Sequence, residues 1–190
     1  MDYYNKHADE FIKDTLNSDM SDLYRFFEKH LKIHDKILDL GFGSGRDSLY
    51  FMKKYEVYAL DPEIKFCQSA KKMGIKNILN IKAQDLSYAN YFDAIWACAS
   101  LLHVPSNELN ETFLKCSNAL KSGGVFYCSF KYGDFEGVRN NRYYLDLKEE
   151  TLLNYLKDTN LEVVETLITD DVRPNRNDKW LNVILIKRGT

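Results

Sequence analysis

Residues 36–46 read Lys36-Ile37-Leu38-Asp39-Leu40-Gly41-Phe42-Gly43-Ser44-Gly45-Arg46, and this stretch decides the fold. KILDL is a short apolar run stopped by glycine, which suits a buried strand. Glycines at alternate positions let the backbone turn sharply, and they let a ligand approach the main chain with no Cβ in the way. The next residues, RDSLYFMKKY, read as a helix. Its first turn offers unpaired N–H groups and a positive dipole end to an anionic group.

Outward from this unit the pattern repeats. EVYAL at 56–60 is a second strand closed by Asp61-Pro62, and a helix follows over about 63–73. NILNI at 77–81 and DAIWAC at 93–98 are the third and fourth strands. Pro105-Ser106 opens a helix with Ser106 as its N-cap. Along that helix Leu109, Phe113, Cys116 and Leu120 form one apolar stripe, and Lys121 with Gly123 signals its end. GVFYCSF at 124–130 is a fifth strand, residues 131–144 read as a polar loop, and Asp146 with Glu149 resembles a capping box for a helix over 147–157. EVVETLI at 162–168 and LNVILI at 181–186 complete seven strands. Upstream, DLYRFFEKHL at 22–31 carries apolar residues at helical spacing.

Strands alternating with helices imply an α/β fold with a mostly parallel sheet and helices on both faces. The last connection has no helical pattern, and a parallel return needs a crossover, so the last strand is expected to be antiparallel. The 190 residues contain no repeat or linker composition and suit one domain. Lys plus Arg number 26 against 28 Asp plus Glu, a net charge of -2, which argues against a wide nucleic-acid-binding surface. Cys67, Cys98, Cys116 and Cys128 show neither Cys-x-x-Cys nor zinc spacing, so unpaired thiols, no metal and a reducing compartment are expected. MDYYNKHADEF lacks the apolar core of a secretory signal, and no run of 18 apolar residues is present, so the expectation is cytoplasmic with no membrane span.

The glycine loop excludes two nucleotide fingerprints. G-x-G-x-x-G needs glycine where Arg46 stands, and a P-loop needs Gly-Lys-Ser/Thr. What remains is G-x-G-x-G, read either as an ordinary glycine-rich turn or as a cofactor cradle. Asp61 lies 20 residues beyond Gly41 at the end of the next strand, the spacing at which an acid accepts from ribose hydroxyls. Asp85, after the third strand, is either a third ligand at the same crevice or a solvated loop acid.

Taken together, LDLGFGSGR, the acid of ALDP, AQDL, FDAIWACASLLHV and LKSGGVFYCSF resemble the class I S-adenosylmethionine-dependent methyltransferases, in that family's order over most of residues 36–130. FKYGDFEG, the RYY segment and DDVRPNRNDKWLNVIL resemble a small bacterial tellurite-resistance-like branch. The resemblance implies a three-layer Rossmann-like methyltransferase fold with a seven-stranded, mostly parallel sheet and an antiparallel last strand. It also implies one domain over 1–190 with 1–34 as a helical lid region, and S-adenosyl-L-methionine as cofactor. By the same resemblance Asp39 faces the amino-acid moiety through water or loop amides, and Gly41 and Gly43 let the methionyl part pack on the backbone. Phe42 replaces the usual loop cysteine. Asp61 binds the ribose diol with Pro62 beside the adenine, Asp85 and the Leu86 N–H reach the adenine, and Ala97 and Cys98 border the methyl group.

The acceptor side is read from the residues. His103 is a candidate base or hydrogen-bond partner, or a structural residue before the helix. Tyr3, Tyr4, His7 and Phe11 belong to a lid or to an ordinary docking helix. Lys131, Tyr132, Arg139, Arg142 and Tyr143 follow the fifth strand, where parallel sheets place ligands. Arg173, Arg176 and Trp180 precede the last strand, and arginines fork onto oxyanions when they are not simply solvated. The expected function is methyl transfer to a small-molecule acceptor, anionic or a soft thiol or metalloid nucleophile. Transfer to tRNA or DNA and a non-catalytic cofactor-binding module are the alternatives. A monomer or weak homodimer is expected.

Overall fold

The computed structural model describes residues 12–13, 15–173 and 176–189. A helix, α1 (Ser21–Glu28), precedes β1 (Lys36–Leu40), α2 (Arg46–Phe51), β2 (Glu56–Leu60), α3 (Ile64–Lys72) and β3 (Asn77–Leu79). A 3₁₀ turn at Ala83–Asp85 leads to β4 (Phe92–Ala97), and a second at Leu101–His103 leads to α4 (Ser106–Ala119). Then come β5 (Leu120–Lys131), β6 (Glu136–Arg139), β7 (Arg142–Leu145), α5 (Glu149–Leu156), β8 (Leu161–Asp170) and β9 (Lys179–Lys187).

Seven strands form one sheet in the order β3-β2-β1-β4-β5-β9-β8. The first five are parallel, and β9 runs antiparallel to both β5 and β8, as the missing crossover predicts. β1 pairs with β2 on one side and β4 on the other, so the chain changes direction across the sheet at β1. In an open α/β sheet that point leaves a crevice at the carboxyl ends of the strands.

The strand period of two divides the core between the faces. Ile95, Phe126 and Leu185 pack with the Leu109–Phe113–Cys116 stripe of α4 and with Leu152 and Leu156 of α5. Their chain neighbours Trp96, Tyr127 and Ile184 pack with Phe27 of α1 and Phe51 of α2. Phe66, Cys67 and Ala70 of α3 cover Ala59 and Phe42. The layers are therefore helix, sheet, helix. Among the described residues no helix is long and apolar enough to cross a membrane. All four cysteines are unpaired.

Four local expectations need correction. The 131–144 loop contains a two-stranded hairpin, β6 against β7, turned at Asn140 and Asn141 with φ of 49° and 61°. Two left-handed residues make a tight hairpin turn, and Asn tolerates that conformation better than most residues. Ser106 does not cap α4. Its hydroxyl donates to Glu136 Oε1 at 2.6 Å, and Pro105 stands at the N-cap. Asp146 is taken from its expected capping box by Arg139, which donates two bonds to it, while Thr151 Oγ1 accepts the Lys148 N–H at the start of α5. The third strand is also shorter than NILNI, ending at Leu79.

Candidate functional site

The crevice is a cleft of about 460 Å³ lined by the glycine loop, the ends of β2, β4 and β5, the hairpin, and the connection between β8 and β9. The loop is tied down from the β2 side. Leu60 O accepts the Gly41 N–H at 2.7 Å and the Phe42 N–H at 3.2 Å. Gly41 has φ of 77°, and a Cβ there would lie 2.4 Å from Ser100 Cβ, so position 41 admits no side chain. Gly43 donates its N–H to Asp61 Oδ2 at 3.0 Å, and Asp61 Oδ1 accepts the Glu63 N–H at 2.9 Å. Asp61 is 7% exposed, and burial pushes its carboxyl up to about 6 against the pull of those two N–H bonds.

Asp39 sits below this loop rather than in the cleft lining. Its Oδ2 accepts the Ser48 hydroxyl at 2.6 Å, and burial, then the charge of Asp47, raises its carboxyl well above the usual range. Asp47 itself lines the cleft and was not singled out from the sequence. It accepts four bonds: Tyr24 Oη at 2.6 Å, Trp96 Nε1 at 2.9 Å, and Arg46 Nε and Nη2 at 2.6 and 3.0 Å. The signal available was the Arg-Asp pair directly after the last loop glycine.

The opposite wall is built on Tyr144. Lys131 Nζ stands 5.3 Å from the centre of its ring, Arg142 Cζ 5.3 Å and Arg139 Cζ 5.9 Å. The His103 ring meets the same ring edge-on at 4.9 Å. His103 Nδ1 lies 2.7 Å from Tyr143 O. A carbonyl only accepts, so Nδ1 carries the proton and Nε2 the lone pair. Burial, reinforced by Arg142 and Lys131, holds the imidazole at about 4, so it is neutral at pH 7. The expected cationic loops are largely paired: Lys131 with Asp178 at 2.8 Å, Arg139 with Asp146 at 2.8 Å, and Arg173 with Asp171 at 2.5 Å. Trp180 Nε1 also donates to Asp171, at 3.2 Å.

The structure thus brings Gly41, Phe42, Gly43, Asp61 and Pro62 into one cleft with His103, Lys131, Arg142, Arg173 and Trp180; Cys98, Arg139 and Arg176 line it too. Others fall outside its lining. Asp85 is exposed, and Leu86 is buried with its N–H given to Ala83 O at 3.2 Å. Ala97 is fully buried in the core under α4, so the β4 end of the cleft is Cys98, Ala99 and Ser100. Tyr132 lies outside the lining, and Tyr143 faces Glu136 and the Ser106 N–H. Tyr3, Tyr4, His7 and Phe11 lie outside the described residues. Among the described residues no cluster of three or more His, Cys, Asp or Glu could hold a metal ion.

The residues present fit a sulfonium nucleoside. Asp61 has accepted one N–H on each oxygen and keeps lone pairs for two hydroxyls. Asp47, Asp61 and Glu63 give this half of the cleft the acidic character that a cation requires. The Ser100 hydroxyl is buried with no hydrogen-bond partner among the described residues, and an unpaired buried hydroxyl is costly unless a ligand meets it.

A family described as a methyltransferase domain matches residues 38–128. No curated protein matches the chain. Among solved structures the chain is similar to a Burkholderia thailandensis 1,6-didemethyltoxoflavin-N1-methyltransferase holding 1,6-didemethyltoxoflavin and S-adenosylhomocysteine. They share 20% identity, with 99% of this chain and 85% of that one covered and a TM-score of 0.80. A SAM-dependent methyltransferase from Methanosarcina mazei is 20% identical over 88% of this chain and 99% of that one, with a TM-score of 0.76. One from Clostridium acetobutylicum is 19% identical over 98% and 99%, with a TM-score of 0.73. These likenesses establish a shared fold; the matched domain runs from β1 through the glycine loop to β5, the part that builds the glycine-loop half of the cleft. The match over residues 38–128 is to a methyltransferase domain, which supports a methyltransferase enzyme on this fold.

Proposed function

We propose that this enzyme uses S-adenosylmethionine as its cofactor and transfers the methyl group to a small acceptor bearing negative charge, seated beside Tyr144. The observation that carries the reading is the convergence of Lys131, Arg139 and Arg142 on that one ring, inside the cleft that holds the glycine loop. Lys131 and Arg139 are each shared with a carboxylate, Asp178 and Asp146, and together with the Arg142 guanidinium they favour an anionic acceptor over a neutral one. One fold relative holds 1,6-didemethyltoxoflavin alongside S-adenosylhomocysteine, which supports a small acceptor here.

When bound, the cofactor supplies an electrophilic methyl on a sulfonium. In this reading Gly41, Phe42 and Gly43 bind its methionyl end, Asp61 its ribose and Pro62 its adenine. Asp85 and Leu86 border the adenine from outside the cleft lining, and Asp39 stiffens the loop through Ser48. Arg142 orients the acceptor, with Lys131, Arg173 and Trp180 around it and Tyr132 and Tyr143 beyond. His103 Nε2 takes the proton when the nucleophile carries one, and a thiolate or metalloid oxyanion needs no such help. The chain acts as one domain, its first 34 residues forming a lid region over the cofactor, working in the cytoplasm as a monomer or weak homodimer.

A screen of methyl-donor consumption over thiols, metalloid oxyanions and small carboxylates tests this. The tellurite-resistance-like resemblance places metalloid oxyanions in that panel. Turnover of an anionic acceptor that is insensitive to salt supports the reading. Turnover only on tRNA or DNA, falling steeply with salt, overturns it.

A further inference from the structure

A second cleft, of about 480 Å³, shares no lining residue with the first. Its walls are residues 86–90, the last turns of α4, Ser122 of β5, Asn160 before β8, and Lys187 with Arg188 at the end of β9. Asn90 precedes β4, Ser122 lies near the start of β5, and β9 returns antiparallel with Ile186 beside Val125. This cleft is therefore at the amino ends of β4 and β5, at the opposite end of the sheet from the glycine loop.

Its charge is one-sided. Lys115, Lys187 and Arg188 line it, and among the described residues no Asp or Glu does, in a chain of net charge -2. Ser87, Asn118, Ser122 and Asn160 add neutral hydroxyl and amide groups. Lys115 and Arg188 are met by acids outside the lining, Glu111 at 3.3 Å and Glu162, in pairs open to solvent. Such pairs hold little energy and exchange readily for another anion.

Lys187 is different. It is 8% exposed, yet among the described residues no acid pairs with it. Its Nζ donates to Leu120 O at 2.7 Å and to Asn90 Oδ1 at 3.0 Å, two neutral oxygens. Leu120 closes α4, so its carbonyl lies at the negative end of the helix dipole. These bonds fix the ammonium without neutralising it, and they use two of its three N–H groups. Burial lowers its pKa, which shows that the charge is incompletely compensated. Burying an unpaired charge is costly, and an anion entering the cleft would reduce that cost. A phosphate group brings nearly two charges and three strong acceptor oxygens, so it engages a mixed ammonium, guanidinium, hydroxyl and amide set more fully than a carboxylate does.

We propose that this second cleft binds a small phosphate-bearing molecule, with Lys187 as its buried anchor. The experiment is titration of ¹⁵N-labelled protein with pyrophosphate, followed by NMR in about 0.15 M NaCl to screen loose surface binding. Saturable shifts are expected in the amides of residues 86–90, 118–122 and 187–188. Lys187→Met should weaken that binding by about tenfold or more, whereas Arg142→Met, a change in the other cleft, should leave it intact. Lys187 also closes α4, so a second variant guards against a folding defect. Ser122 is exposed, and Ser122→Asp places a carboxylate in the lining without touching the core; it too should abolish the shifts. Shifts confined to residues around Arg142, no saturable shift at all, or binding unchanged in Ser122→Asp overturns the proposal. Malonate binding as tightly as pyrophosphate overturns the phosphate assignment.

Discussion

Asp61 Oδ2 accepts the Gly43 N–H at 3.0 Å, so the acid that closes β2 and the turn that follows β1 are one hydrogen-bonded unit. Loss of the carboxylate charge therefore affects the shape of the loop and, in the proposed reading, the ribose contact.

Cofactor affinity should depend on pH through this group. Burial sets the Asp61 carboxyl at about 6, above its ordinary 3.8. A carboxylate accepts from hydroxyls better than the neutral acid does, so S-adenosylhomocysteine binding should weaken as pH falls from 7.5 to 5, with a midpoint near that value. The stability sign is opposite. A raised folded pKa gives stability that is present below 3.8 and lost as pH rises through about 6. Asp61→Asn should flatten the binding profile and weaken binding by about 1.5–3 kcal/mol, and because its amide nitrogen cannot accept, one of the two loop N–H groups loses its partner. A wild-type profile flat from pH 5 to 7.5 would contradict the assignment of Asp61.

Gly41→Ala tests the loop. The added methyl would meet Ser100 Cβ at 2.4 Å on a backbone with φ of 77°. The expected loss is about 1–3 kcal/mol in chemical denaturation, with cofactor affinity lost alongside. Adding Ser100→Gly should relieve the clash and leave the backbone strain, so recovery should be partial. Full stability in Gly41→Ala would refute the tight approach.

Arg142 and Arg173 should respond differently to charge reversal. Arg142→Glu should raise the KM for an anionic acceptor by about tenfold or more while S-adenosylhomocysteine affinity holds. Arg173 is occupied by Asp171, whose carboxyl it helps hold at about 2. That depressed value gives stability present above the ordinary 3.8 and lost as pH falls through about 2. Arg173→Glu should therefore show first as a lower melting temperature at pH 7. Identical kinetic and thermal effects in both variants would argue against a specific acceptor role for Arg142.

His103 should leave no rate limb near pH 6.5. Its imidazole titrates at about 4, and a depressed base contributes stability that is present above its ordinary 6.5 and lost as pH falls through about 4. With an acceptor that must lose a proton, His103→Gln should lower kcat by about 10²–10⁴. With an acceptor already ionised the loss should be small. Stopped assays on one acceptor of each kind decide it, and equal losses would point to a purely structural role.

The glycine loop, Asp61 and the strand pattern were legible because each is local. Glycine spacing dictates what the backbone can do, and alternation of Ile95 with Trp96 or Phe126 with Tyr127 dictates which side chain faces which layer. The reversed last strand followed from a connection too short and too polar to cross over. The hairpin was not legible, because EGVR and RYYL lack an alternation strong enough to outweigh their charges, and the Asn140-Asn141 turn was passed over. Charge pairing was hidden for another reason. Lys131 meets Asp178 across 47 residues and Asp47 meets Trp96 across 49, and such partners are chosen by which strand ends the sheet order brings together. By itself the sequence determined the layers and the cofactor turn, since periodicity and backbone freedom are properties of neighbouring residues. Only the tertiary structure decided which of the cleft's cations are already neutralised, since an ion pair depends on distance in space and chain order does not fix it.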